Sequence, residues 1–133
     1  MNRRGFAALW IMLALAGLLS VVGFAVSTAM HSIRAGAAME DGLRAQYAAE
    51  SAAVWGLERI KAHGLEKWDG DFSLSDTSSC RVQIRETGEA EGVVRARGIS
   101  PAGAVRYIQL HVNISEGEKV RVQVREVGDN KWN

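Results

Sequence analysis

Few residues in this 133-residue chain have the types and spacing that catalysis or metal binding would require. The three histidines, His31, His63 and His111, are far apart in the sequence, and none lies near a pair of carboxylates. The chain contains no GxSxG nucleophile motif, no phosphate-binding loop and no GxGxxG dinucleotide motif. We therefore expect a protein that is not an enzyme and that uses no cofactor.

Two short segments and one thiol could carry a ligand, but each has a simpler interpretation. Asp69 and Asp71 flank a glycine in a way that suggests calcium, yet the further oxygen ligands and closing glutamate of an EF-hand loop are missing. Asn113 begins a glycosylation sequon, which by itself carries little weight. Cys80 is the only cysteine, so it forms no intrachain disulfide and supplies no metal site. We predict no metal, and for Cys80 we favour a buried or half-buried strand position over a redox role.

The most prominent element is an apolar run near the N-terminus. Residues 6–26 are interrupted only by two glycines and one serine, and no charged residue occurs from Gly5 to Met30. As a helix rising about 1.5 Å per residue, this run would reach roughly 30 Å, the thickness of the hydrocarbon core of a bilayer. Soluble helices are rarely apolar on every face over that length. We therefore predict that residues 6–30 form a transmembrane helix.

The charges around the run predict its orientation. Of the 16 Lys and Arg residues, Arg3 and Arg4 precede the run, which leaves 14 against 15 Asp and Glu residues in the rest. Basic residues favour the cytoplasmic side of a membrane, so we expect a single-pass membrane protein with its N-terminus in the cytoplasm and the bulk of the chain outside. This balance provides no excess of basic residues to bind phosphates, so we expect no nucleic-acid partner.

Helical character continues beyond the apolar run. Residues 28–63 contain no proline and many alanines, and Gly64 then provides an end signal. We predict one helix of about 55 residues, whose amphipathic second half, residues 31–64, we call the spine. Large apolar residues recur along it at helical spacing, and we expect this stripe to pack in the core. Its members are Leu43, Tyr47, Val54 and Leu57.

Three further side chains of this region have two interpretations each. Glu50 lies on the apolar stripe, so it could form a salt bridge or another contact between the subunits of an assembly. The alternative is a stripe edge with a partner in the same helix, for example Gln46. Trp55 and Trp68 could pack where the helix meets a sheet or could be exposed for partners, and both interpretations stay open.

Four segments after the spine alternate between polar and apolar residues: 80–86, 92–100, 104–114 and 119–127. Short connectors rich in Gly, Glu and Ser separate them, which is typical of an antiparallel meander. Residues 68–79 are predicted to be a loop. The predicted fold class is therefore α+β, with a long N-terminal helix packed on a small antiparallel sheet of about four strands.

The combination of these features resembles the type IV pilin-like family, and more narrowly its minor pilins and type II secretion pseudopilins. The resemblance is carried by RRGF at residues 3–6, by the apolar run that follows at once, and by QYAAESAAVWGLERI at residues 46–60. It covers residues 1–63 and rests on architecture beyond them. It implies the following division: leader 1–5, transmembrane half 6–30, spine 31–64, and a head of loop and sheet 65–133.

The resemblance implies a maturation reaction. In this family a membrane aspartyl peptidase, the prepilin peptidase, cuts after the leader glycine and methylates the new amine, which places cleavage between Gly5 and Phe6. A glycine gives the peptidase access to the scissile carbonyl, and Arg3 and Arg4 would hold that bond at the cytoplasmic surface. The implied partners are other pilins or pseudopilins through the N-terminal helix, the prepilin peptidase, an inner-membrane assembly platform and membrane lipid.

Trp10 departs from the pattern of the family. Most pilins carry a glutamate at the matching position, thought to pair with the N-terminal amine of a neighbour, and subunits without it are typical of filament tips or initiation complexes. Trp10 offers an ammonium no more than a cation–π contact. An alternative is that Trp10 anchors the helix end at the head-group region, and the two interpretations are compatible.

The function predicted on this basis is a non-enzymatic structural subunit of a type IV pilus or a type II secretion pseudopilus. It would be a minor subunit that acts in filament initiation or at the tip. Two alternatives remain. The run ends in small residues at positions 25–29, so an ordinary signal peptide could precede a periplasmic binding domain, although typical signal-peptide cores are shorter. The second alternative is an uncleaved single-pass anchor that presents the head to a partner.

Overall fold

A computed structural model describes residues 3–115 and 119–126 of the chain. Its side chains are described for residues 6–114 and 121–124. The chain divides into two compact units, Met1–Ala38 and Met39–Asn133, which we describe separately. The element order is one helix followed by five strands: α1 (Arg3–His63), β1 (Trp68–Ser73), β2 (Ser79–Gly88), β3 (Glu91–Ile99), β4 (Val105–Ser115) and β5 (Lys119–Glu126).

The part of α1 in the first unit is apolar and uncovered. None of its most apolar 18-residue stretch is buried, so by length and composition this helix could span a membrane. Its few hydroxyl groups bond within the helix: Ser20 donates to the carbonyl of Ala16 at 2.8 Å, and Thr28 donates to that of Phe24 at 2.9 Å. Such bonds satisfy a hydroxyl without an outside partner, which suits a lipid environment.

The helix ends where the sequence predicts. Gly64 adopts a left-handed conformation with φ of +80°, and its N–H donates to the carbonyl of Ile60 at 2.8 Å. This closes the last turn in the way that a glycine after a helix commonly does. Lys61 and His63 lie in that turn, where a positive charge interacts favourably with the helix dipole.

The sheet is an antiparallel meander with strand order β1-β2-β3-β4-β5, so the predicted α+β fold class is confirmed, with five strands instead of about four. The additional strand is β1, in the segment predicted to be a loop. Trp68 and Phe72 point to the helix side of β1, whereas Asp69 and Asp71 point away. The Trp68 ring covers the space that a side chain at Gly70 would need, so this glycine is required inside the strand.

The second part of α1 packs on this sheet through its smallest residues. The face turned to the strands is buried and consists of Ala45, Ala48, Ala49, Ala52, Ala53 and Gly56, which we call the inner stripe. Ile60 extends it near the helix end. Opposite lie buried side chains of the three central strands, among them Val82, Val94 and Leu110.

The prediction that the large apolar stripe packs in the core is wrong for three of its four members. Leu43, Tyr47 and Val54 are exposed, Tyr47 at 64% and Val54 at 59%, and we call them the outer ridge. Leu57 is partly buried against the core cluster. The physical reason is close approach: a Cβ at Gly98 of β3 would lie 2.2 Å from the carbonyl oxygen of Ala45. Only small residues fit between backbones that are so close.

Candidate functional site

The predicted processing site lies at the start of α1. The backbone of Arg3, Arg4 and Gly5 is helical, and the leader-charge prediction for the two arginines concerns side chains outside the described residues. Phe6 and Trp10 are one helical turn apart, with ring centres 6.3 Å apart and planes at 71°, an edge-to-face pair. Both rings are exposed, so this aromatic pair contributes to the apolar surface of the first described turns.

An open apolar groove lies between the second part of α1 and the strands β4 and β5. Its floor is Ile108 and Leu110 of β4, and one wall is Val122 and Val124 of β5, of which Val124 is 70% exposed. The helix supplies the other wall. The groove residues on that wall are Gln46, Glu50, Ala53, Val54 and Leu57. Val54 belongs to both the outer ridge and this groove, so the two surfaces meet at Val54.

Glu50 is the carboxylate on the rim of this groove. It accepts a hydrogen bond of 3.0 Å from the side-chain amide of Gln46, one turn earlier in the helix. The pair is exposed, and within a single chain it fits the in-helix interpretation. Because its partner is a neutral amide, the charge of Glu50 is not compensated there, and the interpretation as a contact between subunits stays a prediction.

Aromatic rings from the helix and the first strand form a cluster at the helix–sheet seam. Trp55 lies 4.6 Å from Trp68 and 5.7 Å from Phe72, measured between ring centres. The guanidinium of Arg59 lies 4.6 Å from the centre of the Trp68 ring, a cation–π contact. Trp68 is therefore largely a seam residue, whereas Trp55 is 40% exposed and both packs at the seam and presents an edge to solvent.

Both aspartates of the DGD sequence have protein partners. Asp71 accepts two bonds from Arg81, at 2.6 and 2.7 Å, and Asp69 accepts one from Gln83 at 3.0 Å. The bonds from Arg81 hold the pKa of the Asp71 carboxyl below its usual range, and the pKa of Arg81 is raised in turn. Within residues 3–115 and 119–126, no three His, Cys, Asp or Glu residues are grouped to hold a metal ion.

Cys80 is buried in the core below the helix. Its Sγ donates to the carbonyl of Ala48 at 3.3 Å, which places the thiol against the inner stripe. Burial raises the pKa of this thiol, and the nearby carboxylate of Asp76 raises it further. A thiol that is buried and protonated is a poor nucleophile. The prediction of a buried strand position for Cys80 is therefore confirmed.

Sequence reasoning missed two surfaces, and both leave a signal in the sequence. The inner stripe follows the same helical spacing as the outer ridge, so its alanines are as regularly placed in the sequence as the larger apolar residues. The second surface is the side of the sheet turned away from α1, which we call the outer sheet face. Strand alternation places on it the arginines at positions 81, 85, 95, 97 and 121.

Comparison with known proteins adds no further identification. No protein-family model, no curated protein and no solved structure matches the chain. The resemblance to type IV pilin-like proteins therefore rests on the quoted residues and on the architecture described above.

Proposed function

We propose that this protein is a non-enzymatic structural subunit of a type IV pilus or a type II secretion pseudopilus. In this proposal it is a minor subunit of the type IV pilin-like family that acts in filament initiation or at the tip. The observation that carries the proposal is the character of α1. One part of the helix is apolar and uncovered, and the other packs on an antiparallel sheet through alanine and glycine.

An apolar helix of this kind needs an apolar environment. Burying apolar surface contributes about 25 cal/mol per Å², and the exposed side chains of residues 6–30 include Phe, Leu, Ile, Val and Trp. Lipid supplies that environment before assembly, and helices of neighbouring subunits supply it in a filament. In this proposal an assembly ATPase and an inner-membrane platform drive the exchange of lipid contacts for protein contacts.

The second part of the proposal concerns the outer ridge and the apolar groove. Leu43, Tyr47 and Val54 lie outward on the spine because the inner stripe already fills the contact with the sheet. Contiguous apolar surface of this kind marks protein interaction sites. We assign it to contacts with neighbouring subunits, with Glu50 as a charged group at its rim.

We place the protein in the inner membrane, with its N-terminus in the cytoplasm and its sheet in the periplasm, because Arg3 and Arg4 precede the membrane segment. Leader removal by the prepilin peptidase between Gly5 and Phe6, followed by methylation of Phe6, would release the helix for assembly. Trp10 replaces the carboxylate common in shaft subunits. That replacement supports a position at the tip or in the initiation complex, where no subunit lies ahead.

The proposal is tested by co-expression of the full-length protein with a prepilin peptidase. We expect the protein to lose five residues, and Gly5→Leu to abolish the shortening because a side chain blocks access to the scissile bond. The matched control is Gly17→Leu, which leaves the leader junction intact, because a Cβ at Gly17 meets nothing within 4 Å. A wild-type chain that is not shortened, or is shortened equally in Gly5→Leu, contradicts the proposal.

A different processing product would favour the alternative functions. A signal-peptide cut near Met30 would leave the sheet as a periplasmic binding domain without an anchor, since a signal sequence can be as apolar as the first part of α1. An intact Met1 would indicate a permanent single-pass anchor. Each product has a distinct mass, so one experiment separates the three functions.

A further inference from the structure

We propose that the outer sheet face binds an acidic polysaccharide, through arginines that pair with its carboxylates and amides that bond to its hydroxyl groups. This inference is independent of the proposed assembly function. It concerns the side of the sheet opposite α1, which no other described element covers.

The charge of this face differs from that of the whole chain. The chain carries a formal net charge of +1, but strand alternation places five described arginines and three described acids on the outer sheet face. The acids are Asp69, Asp71 and Glu91, all near the edges of the face. The arginines of β2 and β3 are in its centre, so the middle of the face is basic although the protein is nearly neutral.

Three of these arginines form no salt bridge among the described residues. The Asp71 carboxylate is bound by Arg81, which leaves Arg85, Arg97 and Arg121 without a salt bridge within residues 3–115 and 119–126. The guanidinium carbon of Arg97 lies 5.8 Å from the centre of the Tyr107 ring, and its Nε has no hydrogen-bond partner in the described part of the chain. The Asp71 carboxylate interacts with Arg97 electrostatically but gives its hydrogen bonds to Arg81, so the Arg97 guanidinium keeps hydrogen-bonding capacity for an incoming anion.

The residues between the arginines are amides and an imidazole. Their side chains alternate with the arginines across neighbouring strands: Gln83, Gln109, Gln123, Asn113 and His111. Several already make one bond each, such as Gln83 to Asp69 and Asn113 to Glu91. An amide has two donor hydrogens and an acceptor oxygen, so capacity remains for the hydroxyl groups of a sugar.

The same arrangement argues against nucleic acid as the ligand. Single-stranded nucleic acid is bound through bases stacked on exposed aromatic rings, and the Tyr107 ring on this face is approached by Arg97. A duplex presents one phosphate charge about every 1.7 Å along its axis, a denser row of charges than the separated arginines of this face can match. A polymer with carboxylates spaced between hydroxyl groups matches both the sparse arginines and the amides. Arginine binds such carboxylates in a bidentate geometry.

The test measures binding of the full-length protein, in a neutral polyoxyethylene detergent, to immobilised polygalacturonate. We expect salt-dependent binding that the double variant Arg85→Gln/Arg97→Gln weakens at least about tenfold, since two charge-assisted contacts are lost. The charge-matched control is Arg44→Gln/Lys61→Gln on the helix, and we expect it to bind like the wild type. Equal binding by both double variants, or no binding by the wild type, would overturn the proposal.

Two competitors identify which part of the polymer is recognised. Polyglutamate carries the same carboxylates without ring hydroxyl groups, and duplex DNA carries phosphates at higher density. We expect both to compete at least about fivefold less well than soluble polygalacturonate, because neither offers hydroxyl groups to the amides. If either competes as well as polygalacturonate, the face is a general anion site and the assignment to a polysaccharide is wrong.

Discussion

The two faces of the spine differ in a way that hydrophobicity alone does not explain. The inner stripe is alanine and glycine and is fully enclosed, whereas the outer ridge carries the larger side chains Leu43, Tyr47 and Val54 and is exposed. In an ordinary amphipathic helix the larger apolar residues face the core. The reversal follows from the close approach of helix and sheet, which only small residues allow on the inner face and which leaves the outer ridge exposed.

The close contact at the inner stripe predicts that the largest loss of stability comes from adding a side chain to the strand that faces it. A Cβ at Gly98 would lie 2.2 Å from the carbonyl oxygen of Ala45 and 2.4 Å from the amide nitrogen of Ala49, so the backbones must separate. We expect Gly98→Ala to lower the free energy of unfolding by about 3 kcal/mol or more. The measurement is urea unfolding of the full-length protein in neutral detergent, followed by tryptophan fluorescence.

A matched glycine variant serves as the control for Gly98→Ala. At Gly88 the nearest atom to an added Cβ is the Cβ of Glu91 at 3.8 Å, an ordinary contact. We expect Gly88→Ala to change the free energy of unfolding by less than about 0.5 kcal/mol. Equal stability of Gly98→Ala and the wild type would show that the helix does not approach β3 as described.

The next effect comes from the helix side of the same contact. Alanine is favoured over glycine inside a helix by about 1 kcal/mol, so propensity alone predicts that Gly56→Ala stabilises the protein. An added Cβ would meet Val94 at 2.7 Å and Val82 at 3.0 Å, and we expect a net loss of about 1–2 kcal/mol. Gly42→Ala is the helical control, because its Cβ meets only the end of the flexible Arg106 side chain, at 3.2 Å.

The control should remain as stable as the wild type or gain up to about 1 kcal/mol. We therefore predict that the same glycine-to-alanine substitution lowers the free energy of unfolding at Gly56 and leaves it unchanged or raises it at Gly42. If both variants are stabilised, the inner stripe accepts an added methyl group, and helix and sheet do not pack there as closely as described.

A smaller effect is expected from the thiol that touches the inner stripe. Burial raises the pKa of Cys80 in the folded protein, so above the ordinary thiol pKa the unfolded chain releases a proton that the folded chain retains. Stability should therefore fall as pH rises above about 8.5, by less than about 1.4 kcal/mol per pH unit. The difference between wild type and Cys80→Ala, measured by urea unfolding from pH 7 to 10, isolates this slope.

Other groups titrate in the same range, but they do so in both proteins and cancel in the difference. In the folded wild type the thiol should also resist a maleimide at pH 8 and react after unfolding. Identical pH slopes for the two proteins, or rapid labelling of the folded state, would contradict burial of Cys80 against Ala48.

The smallest effect on stability is expected at the outer ridge. Tyr47 and Val54 are mostly exposed, so Tyr47→Ser and Val54→Ser should each change the free energy of unfolding by less than about 0.5 kcal/mol. Their expected effect is on assembly: co-purification with the neighbouring pilin-like subunits should fall at least about tenfold in the double variant. Lys61→Ser, an exposed change on the same helix, is the control and should leave co-purification unchanged. Undiminished co-purification by the double variant would show that the outer ridge is not a subunit contact.

The sequence is sufficient to predict the helix, its end and most of the sheet, because these depend on local signals. The uncharged run has the length of the hydrocarbon core of a bilayer, Gly64 closes the last turn, and four strands alternate, although β3 does so less cleanly. The strand β1 was not predicted, because its alternation is short and has a glycine in the centre. That Gly70 leaves room for the Trp68 ring becomes evident only in three dimensions.

The packing face of the spine could not be predicted by choosing the largest apolar residues. Two sets of positions share helical spacing, and the distance between helix and sheet decides which set is buried. That distance depends on Gly98, about 50 positions further along the chain, so no local pattern reveals it. The outer sheet face was overlooked for a related reason, since a nearly neutral total charge conceals arginines that strand alternation collects on one side.

The central claim, that this chain is a pilin-like subunit with a removable leader, is tested most directly by the N-terminus of the protein purified from membranes of its native host. Mass spectrometry of the N-terminal peptide should show that the chain begins at Phe6 and carries one added methyl group on its amine. A chain that begins near Met30, or one that retains Met1, would contradict the claim.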